Sequence, residues 1–305
     1  MKFGIDLGGS HIAIGLVNGN YEIIEKRTYY TSEKDDTIEL YIVKCIVKGI
    51  KEILKSTNID FSKIEQIGIA TPGNPREGHI KNAVNLGIAD FNLEKALRDK
   101  FKEQYIGKIN MLNDGKCAGL AEKNNGSLKN YSDCVFLCIG TGIGSAVFLN
   151  NQFLQPKQNA GFEFGHMIIE KNGEKCGCGN RGCFEAYCSK RRFKEKMQKA
   201  LKIEGYIGAK ELIPLIKQNI ERENVSTLLE EYIENLALGI SNIINIFEPE
   251  AVCIGGSMSH YEELIFDKLK EKIYNGKYLF NKDSHPVIIP ATQGNDAGII
   301  GATLI

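Results

Sequence analysis

The chain has 305 residues, 43% of them hydrophobic and 25% charged, which excludes a disordered protein and allows a substantial core in one large or two ordinary domains. Lysine plus arginine balances aspartate plus glutamate at 38 each, so no overall field draws the chain to nucleic acid or to a membrane surface, and an anionic ligand must be held locally. The opening Met-Lys-Phe-Gly-Ile-Asp has no apolar leader, and no run approaches the ~18 apolar residues of a spanning helix. A cytoplasmic protein is expected, in which nine cysteines do not form a disulfide framework.

Residues 2–7, 12–17 and 21–30 read as three antiparallel strands joined by short turns. Between the first two, "GGS" at 8–10 interrupts the apolar alternation. Glycines there mark a tight turn or the close approach of another group to the backbone. The N–H groups and the Ser10 hydroxyl suit a phosphate, and Asp6 on the strand before them suits a water-coated Mg2+. A plain hairpin turn reads the same way. Apolar residues then recur at helical spacing from Ile38 to Leu54. "IEQIGIATPG" (64–73) is a buried strand running into a turn. "KINMLND" (108–114) is a second strand, followed by a helix with Cys117, Leu120 and Ala121. Asp114 at this junction fits either a chemical role or a helix cap.

"CVFLCIGTGIGSAVFLN" (134–150) repeats the opening pattern of strand, glycine turn and strand, as an ancient duplication would leave it. Residues 191–247 are mostly helical in pattern. "LALGISNIINIFEPEAVCIGGSMS" (236–259) reads as long helix, buried strand and a third glycine turn, and 287–305 as strand, polar loop and small-residue helix. "GTGIG" (140–144) suits further phosphates, and "IGGS" (254–257) suits the base and ribose of a nucleotide lying against backbone.

His166 with Cys176, Cys178 and Cys183 offers one imidazole and three thiols at H-x9-C-x-C-x4-C spacing. Soft thiolates with one imidazole favour a closed tetrahedral zinc site, and a short glycine-rich loop can wrap it. Such a set leaves no open position for a reacting water, so the metal is structural. Cys188, like Cys45, Cys117, Cys134, Cys138 and Cys253, reads as a small core residue.

Residues 6–10, 112–114, 140–144 and 254–257, in that order, resemble the sugar kinase, heat-shock and actin-like ATPase superfamily. With "GFEFGHMIIEKNGEKCGCGNRGCFEAYCS" (161–189), nearly the whole chain resembles the ROK family, which unites repressors, open reading frames and sugar kinases. The resemblance implies an α/β fold of two actin-like (ribonuclease H-like) ATPase domains with a cleft between them. The first would comprise 1–112 plus 293–305, and the second 113–292, with the zinc-binding loop and dimerisation helices. It implies ATP bound by Gly8, Gly9, Ser10, His11, Gly140, Thr141, Gly142, Gly255, Gly256 and Ser257, with Mg2+ at Asp6. Sugar would be bound by Asn85, Asn113, Asp114, Glu163, His166 and Glu185, and zinc by the four residues above. Asp114 would be the general base. A homodimer with small-molecule partners only, sugar and ATP, is expected.

The reaction expected is ATP-dependent phosphorylation of a hexose hydroxyl, the 6-OH first, by a glucokinase-like enzyme. Allose, fructose or an N-acylated aminohexose (GlcNAc or ManNAc) remain open as acceptors. Three positions depart from the family pattern: Ser10 stands where Thr is common, His11 where Lys or Asn is, and Phe162 replaces a small residue before Glu163. A bulky ring at 162 is expected to reshape the pocket. The other class open to the family, a sugar-responsive transcriptional regulator, is disfavoured by the absence of a helix-turn-helix before the hairpin at residue 4.

Overall fold

The structure is a computed structural model that describes all 305 residues. They form two compact units, Met1–Gly126 with Gln155–Gly161 and Gln293–Ile305, and Ser127–Leu154 with Phe162–Thr292. In the first unit, β1 (Lys2–Leu7), β2 (His11–Val17) and β3 (Ile23–Tyr30) form the antiparallel meander expected from their turns. Every second residue of β3 is exposed, as befits the edge of the sheet. Helix α1 (Ile38–Thr57) starts where the Thr37 side chain accepts from Leu40 N–H and stops at Asn58, which takes the left-handed conformation at φ 53°. Its stripe of Ile42, Cys45, Ile46, Ile50 and Ile53 is buried in one core with Phe3, Ile5 and Ile14 of the sheet.

β4 (Gln66–Thr71) is buried at every position because it lies inside the sheet, parallel to β1. A hairpin, β5 (His79–Ala83) and β6 (Ile88–Asn92), leads into α2 (Leu93–Phe101), capped by Asn92. β7 (Lys108–Asn113) completes the order β3-β2-β1-β4-β7 and passes directly into α3 (Asp114–Asn125).

The second unit repeats this plan. β8 (Cys134–Ile139), β9 (Ile143–Leu149) and β10 (Gln152–Phe153) are antiparallel. Four helices follow, α4 (Phe184–Cys188), α5 (Lys190–Leu201), α6 (Ala209–Gln218) and α7 (Glu223–Phe247). Then come β11 (Ala251–Gly255), α8 (Glu262–Tyr274) and β12 (Val287–Pro290). The sheet order β10-β9-β8-β11-β12 matches that of the first unit strand for strand, with β11 parallel to both β8 and β12. The core of this unit joins Val135 and Leu137 of the sheet to Leu236, Ile240 and Ile244 of α7 and to Phe184 of α4. No helix in either unit is long and apolar enough to cross a membrane.

The chain's last helix, Ala297–Ala302, belongs to the first unit and lies against β1, β4 and α3. It approaches so closely that a Cβ on Gly68 would lie 1.7 Å from the Ala302 carbonyl oxygen, and one on Gly301 would lie 1.8 Å from that of Cys117. By its contacts the first unit runs to Gly126, so that α3, on which the last helix packs, lies within it. Gly68→Val should therefore cost about 3 kcal/mol or more of stability, because the clash is with backbone. A urea midpoint unchanged from the parent would contradict this packing.

Candidate active site and metal centre

The residues singled out in the sequence gather into two sets, one in each unit. In the first, β1 carries Asp6 and turns at Gly8, whose N–H donates to the His11 carbonyl at 2.8 Å. Thr31, just past β3, holds the turn, its hydroxyl donating to the Gly9 carbonyl (2.8 Å) and its N–H to that of Ser10 (3.1 Å). The N–H groups of Gly9 and Ser10 have no partner in the chain, as a phosphate-binding turn requires. The Ser10 hydroxyl is 3.2 Å from His11 Nδ1. Asn85 sits in the exposed short turn Val84–Leu86, and its backbone packs against Gly9.

At the β7–α3 junction the two polar residues divide their duties. Asn113 caps the helix: its side-chain oxygen accepts from Gly115 N–H (3.1 Å) and Lys116 N–H (3.4 Å), while its Nδ2 donates to the Gly73 carbonyl at 3.2 Å. Asp114 is the first helical residue and is half-buried, with Oδ1 accepting from Gly115 N–H at 2.8 Å. Asp6 is packed under the last helix, where a Cβ on Gly298 would lie 2.5 Å from its carboxyl carbon. Burial, and then the charges of Asp114 and Asp296, push the Asp6 carboxyl up to about 7. Asp296 is answered by Lys26 Nζ at 2.6 Å. Sequence reasoning passed over Asp296 as part of a polar loop, although an acidic residue opening a small-residue helix was a usable signal.

In the second unit the β8–β9 turn is closed by Gly140 N–H donating to the Gly142 carbonyl at 2.8 Å, and Lys190 N–H at the start of α5 donates to the Gly140 carbonyl at 2.9 Å. Thr141 at its tip is exposed. The third glycine turn lies alongside: Gly256, at φ 73°, packs against the Ile139 backbone, and the Ser257 hydroxyl faces Gly140. Gly255 is the last residue of β11.

Ile143 joins this turn to the rest of the set. Its N–H donates to Glu185 Oε2 at 3.0 Å, and its carbonyl packs against Gly165, within the segment that runs from Glu163 to His166. Glu185 Oε1 lies 3.8 Å from Cys176 Sγ, so one carboxylate touches both the glycine turn and the cysteine loop. The strand pattern gave no hint that Ile143 would be the junction, since only its backbone acts.

The ligand atoms of His166, Cys176, Cys178 and Cys183 all lie within 4.8 Å of one another. Cys178 and Cys183 Sγ are 3.6 Å apart, and Cys176 Sγ is 3.7 Å from His166 Nδ1. A tetrahedron with metal–sulfur bonds of about 2.3 Å has edges of about 3.8 Å, so the donors stand where one divalent ion would hold them. Burial and the two neighbouring thiols push the Cys183 thiol up to about 12, a penalty that metal binding removes by taking the thiolate. Phe162 is held at φ 59°, a left-handed conformation that strains a bulky residue by about 1–2 kcal/mol, and its ring packs edge-on against Phe247 at 6.2 Å.

A pair of matched units, each a hairpin plus two parallel strands with glycine turns at the strand ends, is the two-domain actin-like architecture. The chain belongs to the ROK family, whose model matches residues 2–305. It is 30% identical to the glucokinase of Thermotoga maritima over 320 residues, 99% of this chain and 96% of that one. It is also 28% identical to the xylose repressor of Bacillus subtilis, over 78% of this chain and 60% of that protein. The ROK hexokinase of Thermus thermophilus has the same fold at a TM-score of 0.82, with 25% identity and 99% and 96% of the two chains covered.

The raised Asp6 carboxyl sets a pH dependence. A folded-state value near 7 against 3.8 for the free side chain means that the native state loses stability as pH rises from about 4 to 7, by at most about 4 kcal/mol. In the absence of divalent cations, Asp6→Asn should raise the thermal midpoint at pH 8 and leave it nearly unchanged at pH 4. An equal gain at both pH values would mean that charge is not what strains the site.

Proposed function

We propose that this protein is an ATP-dependent sugar kinase that transfers the γ-phosphoryl group to a hexose hydroxyl, the 6-OH, with Asp114 as the general base. The carrying observation is the β7–α3 junction, where Asn113 caps the helix and places the half-buried Asp114 as its first residue. The hydroxyl oxygen attacks the γ-phosphorus, the bond to the ADP oxygen breaks, and the hydroxyl proton passes to Asp114. Little covalent help is required of the protein; positioning and charge do the rest.

The unpaired N–H groups of Gly9 and Ser10 support phosphate binding by the first unit, with His11 beside them. The adjoining turns Gly140–Thr141–Gly142 and Gly255–Gly256–Ser257 support nucleotide binding by the second. Asp6 would hold Mg2+, which neutralises phosphate charge when bound; a buried carboxyl pushed up by two like charges fits a divalent cation. Asn85 and Asn113 from the first unit, and Glu163, His166 and Glu185 from the second, would bind sugar hydroxyls. Zinc on His166, Cys176, Cys178 and Cys183 would fix Glu185 and His166 without doing chemistry, because four protein donors close the coordination sphere. A cytoplasmic location, from the absence of an apolar leader, and a homodimer, from family resemblance, are part of this reading.

Asp114→Asn should lower kcat by about a thousandfold while sugar affinity stays within tenfold. ADP release measured across hexoses and N-acetylhexosamines tests this and selects the acceptor, and turnover at the parental rate would remove Asp114 from its role. Cys178 is exposed and contributes nothing to the core, so Cys178→Ser isolates the metal. The variant should lose zinc and at least tenfold in sugar affinity; metal analysis still finding one zinc per chain would refute the ligand set.

A further inference from the structure

Within the first unit a cavity of about 190 Å³ is walled by Asn74 and Arg76 after β4, Lys81 and Asn82 of β5, and Gln158 and Ala160 of the segment Gln155–Gly161. None of the residues assigned above to sugar, nucleotide or metal lines it. Its walls are fixed rather than loose. Gly73, at φ 79°, lets the turn close onto β5, where Asn74 N–H donates to the Lys81 carbonyl at 2.8 Å, and Arg76 and His79 exchange two backbone hydrogen bonds of 2.9 Å. The outer segment is pinned by Asn159 Nδ2 donating to the Pro75 carbonyl (2.7 Å) and by the buried Lys116, whose Nζ donates to the Asn159 carbonyl (3.4 Å).

The side-chain amides of Asn74, Asn82 and Gln158 make no hydrogen bond within the chain. Arg76 Nε is buried and donates to nothing, with Glu77 Oε1 no nearer than 3.9 Å. Lys81 is answered by Asp90 at 3.5 Å. A small cavity that presents three amides with no partner in the chain and one buried, unpaired guanidinium N–H suits a ligand with hydroxyls round its edge. The volume is about that of one hexopyranose ring. The cavity also begins one residue from the reacting corner, since Asn113 donates to the carbonyl of Gly73, next to Asn74.

We propose that this cavity is a second sugar subsite, which takes a glycosyl unit joined to the ring that is phosphorylated, so that the protein accepts disaccharides. The proposal rests on the sugar kinase reading and extends it. Its test compares ADP release from the best monosaccharide acceptor with release from the same sugar carrying a second hexose on its anomeric oxygen. The parent protein should turn over at least one such disaccharide. Gln158→Ala, at an exposed position, and Arg76→Ala should each raise KM for it at least tenfold and leave KM for the monosaccharide within twofold. Turnover of monosaccharides alone would overturn the subsite and leave the kinase standing. Equal rises in both KM values would assign the cavity to the first ring and overturn it too. No ADP release with any acceptor would overturn the kinase reading and the subsite with it.

Discussion

In the first unit the like charges of Asp114 and Asp296 both reach the carboxyl of Asp6, whose proton affinity burial raises first. No local preference would assemble them: Asp6 is on the first strand, Asp114 opens a helix after the fifth strand of that sheet, and Asp296 precedes the last helix. Rigid packing supplies what electrostatics opposes. The last helix is seated so closely on the sheet that glycine is needed at Gly4 and Gly68, and the Asp6 carboxyl is packed beneath it with its proton affinity raised. The charged form of Asp6 is therefore costly in the folded state, and stability is linked to its titration.

The second unit meets a different requirement, that of fixing a short loop with little core of its own. The cysteine loop buries Cys176 and Cys183 with Ala186, and Tyr187 accepts from Glu174 N–H at 2.7 Å, but most of its residues are exposed. Its donors are gathered tightly enough for one ion to staple them. Glu185 then ties the loop to the glycine turn through the Ile143 N–H, so the position of the carboxylate depends on both. The strained backbone at Phe162 lies beside Glu163, and its ring packs on Phe247.

Much of this was legible in the chain. The glycine hairpins, the helical stripe from Ile38, the buried strands and the histidine–cysteine spacing are local signals, and each appears where the pattern put it. The hairpin of β5 and β6 and helix α2 were not read; Leu93, Ala96, Leu97 and Phe101 do recur at helical spacing, but over only nine residues. Asp114 was ambiguous between cap and chemistry. In the structure Asn113 takes the cap, through hydrogen bonds that depend on a backbone conformation that neither residue type specifies.

The sequence by itself determined most element types, the repeated hairpin, the family and the histidine–cysteine cluster, because periodicity, turn glycines and residue spacing act over a few residues. Only the tertiary structure decided that Asp296 joins Asp6 and Asp114, that Ile143 couples Glu185 to its turn, and that Gln158 closes a polar cavity against Asn74. Those contacts join residues far apart in the chain, and the long-range packing that creates them leaves no periodic mark in the sequence.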